Sequence, residues 1–133
     1  MIIKLDYRLS CSAEVTNNIS QTIGSYEKET GGILGTSNGT LVDRYVFDSE
    51  QCDSGLREYI PNVLYLNKII ECWFSLSISF CGIVHSHLDS DDLSYADIEY
   101  AKKIITNNDL DSIIMGIYNL RMNKILMYKV MCD

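Results

Sequence analysis

Proline occurs once in this 133-residue chain, histidine twice, and no two cysteines stand close together. Each scarcity excludes something. With one proline, no Pro/Ser-rich tract, no internal repeat and no low-complexity stretch, nothing marks a boundary, and a single domain over residues 1–133 is expected. The five cysteines, Cys11, Cys52, Cys72, Cys81 and Cys132, form no CxxC pair. That pattern suits reduced thiols in a cytosol and excludes a cysteine zinc site, whose ligands come in close pairs. Basic side chains are outnumbered, with 11 Lys and Arg against 18 Asp and Glu and a net charge of −7. Dispersed basic residues at that balance disfavour nucleic acid and acidic membrane surfaces as partners, and leave a basic protein or peptide compatible. The best apolar run, Trp73 to Val84, is broken by serines and ends at His85 and His87, so no membrane span is expected. The opening MIIKLDYRLS carries Asp6 and Arg8 too early for a secretory signal, and a cytoplasmic location is expected.

What is present suits a globular fold: 47% hydrophobic and 22% charged residues with a mean hydropathy of +0.01. Val15, Ile19, Ile23 and Tyr26 recur at helical spacing and predict a helix from Ser12 to Tyr26, ended by the turn into Gly31 and Gly32. Gly32 to Gly35 and Thr40 to Phe47 read as a hairpin about Ser37-Asn38-Gly39. Following the stretch Gly55 to Ile60, Pro61 reads as the first turn of a helix whose apolar face is Val63, Leu64, Leu66, Ile69, Ile70 and Trp73. Ser77 to Ser86 is apolar on both parities, with Ser79, Cys81, Ile83 and His85 on one, as a central strand requires. A helix from Ser94 to Ile105 and strands Ser112–Tyr118 and Lys124–Met131, joined at Asn119–Asn123, complete an α/β domain with helices around one mixed sheet.

His85-Ser86-His87 is the strongest chemical signal. Alternate strand residues share a face at ~6.5 Å along the strand, so two imidazoles can converge on one metal ion. A zinc site that keeps a position open for water needs a third protein ligand, commonly a carboxylate. Asp89, Asp91 and Asp92 read as solvated loop acids, whereas Asp97 sits in the first turn of a helix and can face the strand end. Ser94-x-x-Asp97 is equally the pattern of a capping box. That pair alone does not decide between the two. The general base must be a non-ligand acid, and Glu29, just before Thr30-Gly31-Gly32, is the candidate, with Glu27 its rival.

Taken together, these residues resemble the JAB/MPN metallopeptidases and their JAMM motif: Glu29 in ETGGILG, His85 and His87 in GIVHSH, then Ser94 and Asp97 in LSYAD, in the family's order. The resemblance runs over nearly the whole chain and is closest to small prokaryotic members. It implies a JAB/MPN-like fold related to that of cytidine deaminases. It implies one Zn2+ on His85, His87 and Asp97, with Glu29 as acid/base and Ser94 stabilising the oxyanion. Two departures are visible: Leu88 stands where the family usually has proline, and the spacing from His87 to Asp97 is one residue shorter than usual.

The resemblance further implies hydrolysis of a peptide or isopeptide bond after the C-terminal tail of a ubiquitin-like or sulfur-carrier-like protein, lying extended beside the sheet, in company with a ubiquitin-activating type of enzyme. A non-catalytic scaffold or protein-binding module of the same fold is the alternative, disfavoured because all five motif side chains are present. A zinc nucleoside deaminase would need a His-x-Glu and a Pro-Cys-x-x-Cys, and neither occurs. A DNA-repair relative is disfavoured by charge.

Overall fold

Ser12 begins the first full helix, its hydroxyl accepting from the Val15 amide at 3.2 Å. The computed structural model, which describes residues 1–52 and 58–132, is a mixed α/β fold: six strands in one sheet, flanked by helices. In chain order these are β1 (Ile2–Leu5), α1 (Tyr7–Ser10), α2 (Ala13–Thr22), β2 (Gly31–Thr36), β3 (Arg44–Phe47), α3 (Val63–Ser75), β4 (Ser79–His87), α4 (Tyr95–Asn107), β5 (Ser112–Asn119) and β6 (Lys124–Met131). The sheet order is β1-β6-β5-β4-β2-β3, antiparallel throughout except for the parallel pair β4–β5 joined by α4. No helix among the described residues is long and apolar enough to cross a membrane.

Strands with both faces covered need apolar residues on both parities. On one face Val15, Ile19 and Ile23, on α2 and the short 3₁₀ turn after it, pack with Leu34, Val84 and Met127. On the other, Ala101 and Ile105 of α4 pack with Ile113, Met115 and Val130, and Leu66 and Trp73 of α3 with Ile33 and Ile78. Each fully buried side chain of this size stabilises the fold by roughly 1.5–3 kcal/mol.

The structure departs from the sequence expectations in five places. Helix α2 stops at Thr22, and Tyr26 lies beyond it, stacked on Phe47 at 5.5 Å. The hairpin strand after Gly39 is shorter than Thr40–Phe47, because Asn38 Oδ1 accepts from the Thr40 and Leu41 amides and Val42 bridges to Cys11. Pro61 precedes α3 rather than opening it. Asn62 caps that helix, Val63 and Leu64 face outward, and Gly55 lies outside the described residues. The N-terminal residues form β1, paired with β6 from Ile2↔Val130 to Leu5↔Met127.

The fifth departure lies in β4. Its register with β2 steps from Leu34↔Gly82 to Gly35↔Phe80, leaving Cys81 as an extra residue in a β-bulge. Simple alternation puts Cys81, Ile83 and His85 on one face. The bulge separates them: Cys81 packs with the α2 cluster and Ile83 with those of α3 and α4. Gly82 is glycine of necessity, since a Cβ there would sit 2.2 Å from the Ile114 carbonyl oxygen. Beyond the bulge, His85 and His87 project to the side covered by α4.

Candidate metal centre

The two histidines end β4 where α4 begins, and the residues that share this corner were far apart in sequence. His85 Nε2 lies 3.1 Å from His87 Nε2. Asp97 faces both, with Oδ1 3.0 Å from His85 Nε2 and Oδ2 3.0 Å from His87 Nε2. With one atom taken from each residue, the three candidate ligand atoms lie within 4.8 Å of one another, and two imidazole nitrogens with a carboxylate oxygen are a donor set that suits zinc. Among the described residues it is the one group of three or more metal-ligating side chains that converges in this way.

The capping box and the candidate ligand set share the Asp97 carboxylate. Ser94 Oγ accepts from the Asp97 amide at 3.1 Å, and Asp97 Oδ2 accepts from the Ser94 amide at 2.9 Å while facing His87. The cap therefore aims the carboxylate. Burial opposes ionisation of Asp97, but hydrogen bonds from the two imidazoles outweigh it and hold the carboxyl well below its usual range. The same contact raises His87 against the effect of burial, and the Ser90 backbone adds slightly to that rise.

Glu29 and Ser94 line the same cavity of about 550 Å³ as His85, His87 and Asp97, whereas Glu27 is not among its lining residues. Half-buried, Glu29 has its carboxyl raised by desolvation, against the pull of the two imidazoles and a hydrogen bond from the Leu88 backbone. Proline at position 88 would have no N–H to give. The backbone at Glu29 is held by its neighbour: Thr30 N–H donates to Ser86 Oγ and Thr30 carbonyl accepts from Ser86 N–H, both at 2.9 Å. Ser86, fully buried between the two histidines, thus ties the Glu29 segment to the strand that carries them.

Tyr59 is a wall of the cavity that sequence reasoning missed. Its ring lies over Gly31, the cross-strand partner of His85, where a Cβ would come within 2.4 Å of it. Its hydroxyl donates to Asp48 Oδ2 at 2.8 Å, and that buried carboxylate also accepts from the Asn62 amide at 2.9 Å. Burial and then this carboxylate push the Tyr59 phenol far above its ordinary range. The aromatic residue before Ile60-Pro61 was its only local signal.

Asp89, Asp91 and Asp92 were expected from sequence to be solvated loop acids, and two of them instead have side-chain partners. Asp91 is bound by Asn119 and Lys124, and Asp89 pairs with Arg121 at 2.8 Å. Asn119, buried at the end of β5, stands opposite His87 in register.

No family model matches the chain, and no curated protein does. Among solved structures, the solution structure of protein DSY2949 from Desulfitobacterium hafniense aligns with 90% of this chain and 81% of its own, at a TM-score of 0.64 and 15% identity. That likeness is one of fold.

Proposed function

We propose that this chain is a zinc-dependent peptidase or isopeptidase of the JAB/MPN type, cleaving after the C-terminal tail of a ubiquitin-like or sulfur-carrier-like protein. One observation carries the reading: His85, His87 and Asp97 each bring one donor atom to within 4.8 Å of the others, with Glu29 opening onto the same cavity. His85, His87 and Asp97 would hold the metal. Zinc bound there supplies a Lewis acid for a carbonyl and lowers the pKa of water to about 7.

The chain's own groups do the rest. Glu29, its carboxyl raised by burial toward the working pH, takes the proton of the attacking water and delivers it to the leaving nitrogen. Ser94 Oγ accepts its hydrogen bond from the Asp97 amide, which leaves the hydroxyl proton to donate to the carbonyl oxygen as charge develops there. The sheet edges are β1 and β3, and β4 is enclosed by β2 and β5, so among the described residues no free edge borders the histidines. A tail reaching them would run between the wall at Glu58 and Tyr59 and the wall at Leu88 to Leu93 rather than extend the sheet.

Elemental analysis after dialysis against metal-free buffer, followed by incubation of the zinc-loaded protein with ubiquitin-like fusions ending in Gly-Gly, tests the reading. About one zinc per chain and cleavage after the second glycine are expected. A protein that takes up no zinc on add-back defeats the reading and leaves a scaffold or protein-binding module of this fold.

A further inference from the structure

The segment from Leu88 to Leu93 contains no proline, yet it sets two parts of the metal corner. It leaves β4 directly after His87, and it leads into the Ser94 cap that aims Asp97. Its order comes from the β5–β6 hairpin. Leu120 N–H donates to the His87 carbonyl at 2.9 Å and Arg121 N–H to the Leu88 carbonyl at 3.1 Å. Three further contacts meet at one residue: Asn119 Nδ2 reaches Asp91 Oδ1 at 2.7 Å, Lys124 Nζ reaches Oδ2 at 2.6 Å, and the Tyr128 hydroxyl donates to the Asp91 carbonyl at 2.5 Å. Asn119 is only 2% exposed, and its own Oδ1 accepts from the Met122 amide at 3.1 Å, so the clamp is anchored in the hairpin turn.

Asp89 makes an instructive contrast. It carries the same charge two residues from His87, but among the described residues its side chain is held by Arg121 alone, in a pair whose side chains are 72% and 50% exposed, with no buried partner to match Asn119. Such exposed pairs contribute little. If loop charge alone favoured a bound cation, Asp89 would matter at least as much as Asp91.

We propose that Asp91 is a positioning residue for the metal centre, the point at which the β5–β6 hairpin clamps the loop that orients His87 and Asp97. This rests on the metal reading above. Outer contacts that orient a ligand typically change metal affinity by about 10- to 100-fold. Position, not charge, is then what Asp91 supplies.

The test uses the full chain with two probes, Zn2+ affinity by chelator competition and the visible absorption of bound Co2+, which reports ligand geometry. Asp91→Ala is expected to weaken zinc by about tenfold or more and to alter the cobalt bands. Asp91→Asn, which keeps an oxygen for Asn119, should recover part of the loss, and Asp89→Ala should stay within about twofold of wild type. Equal weakening by Asp89→Ala and Asp91→Ala would overturn the inference in favour of simple charge, and so would an unchanged cobalt spectrum and zinc affinity in Asp91→Ala. Should Asp91→Ala fail to fold, Asn119→Ser removes the buried amide from the other side of the clamp. Weaker zinc there supports the clamp, and unchanged affinity overturns it. A wild-type chain that binds neither ion defeats the metal reading itself, a result distinct from any of these.

Discussion

The two faces of the central sheet do different work, although a single strand supplies both. Val84 turns toward α2 into a wholly apolar contact with Ile19, Leu34 and Met127, all fully buried. Its neighbour His85 and then His87 turn toward α4, where the core gives way to imidazoles, a carboxylate and an open cavity. The α2 face carries packing energy and no chemistry. The α4 face beyond Met115 carries two imidazoles and a carboxylate that satisfy one another. The lesson is one of separation: polar groups gathered at one corner are tolerated because the opposite face of the same strands is dry.

Substitutions can break that separation if it is wrong. The largest effect is expected on turnover alone. Glu29→Gln should lower cleavage by about 10²- to 10⁴-fold, the usual contribution of a positioned proton carrier, with zinc content and thermal midpoint unchanged. Full activity with zinc retained would remove Glu29 from its role. On the dry face the expectation reverses. Ile19→Ala should cost about 2–5 kcal/mol in urea unfolding through lost burial and a residual cavity, while the zinc bound per folded chain stays the same. A loss of metal at Ile19→Ala in proportion to stability would mean the faces are coupled.

Between these lies the wall of the cavity. Gly31→Ala places a methyl against the Tyr59 ring and should destabilise by about 1–3 kcal/mol, the range for overpacking. Adding Tyr59→Ala should relieve that penalty, because the clash has one partner. A double variant no more stable than the sum of the two single changes would show that the ring does not lie over Gly31.

What the sequence made legible was local. The His-x-His on an apolar strand, the Ser94–Asp97 spacing, the buried face of α2 and the Leu66 and Trp73 positions of α3 are all periodic or short-range signals. The bulge at Cys81 was illegible because it is set by how β4 must register against β2, and strict alternation carries no sign of an inserted residue. Strand β1 was missed because its four residues sit at an edge, three of them exposed, with no alternation to read. Asn62 displaced Pro61 as the helix start because a side-chain cap outweighs a favourable φ when the two compete at adjacent positions. Tyr59 on Asp48 and the Asp91 clamp are tertiary pairings, and nothing in the local pattern distinguishes an acid that will be clamped from one that will be solvated.

The smallest effect is the pH response of the metal-free protein, and it isolates the polar corner from the dry face. The folded state holds Asp97 below its ordinary range, so that contribution is complete above the unfolded value of about 3.9 and is lost as pH falls below it. It raises His87, so that contribution is complete below the unfolded value of about 6.5 and is lost as pH rises through it. Both belong largely to one carboxylate–imidazole contact. The stability difference between wild type and Asp97→Asn, from urea midpoints in chelator, should therefore peak between about pH 4 and about pH 6.5. A difference independent of pH would mean that the contact does not form without metal. Zinc loading should move the peak upward, since the ion takes neutral imidazoles and its binding strengthens as they lose their protons.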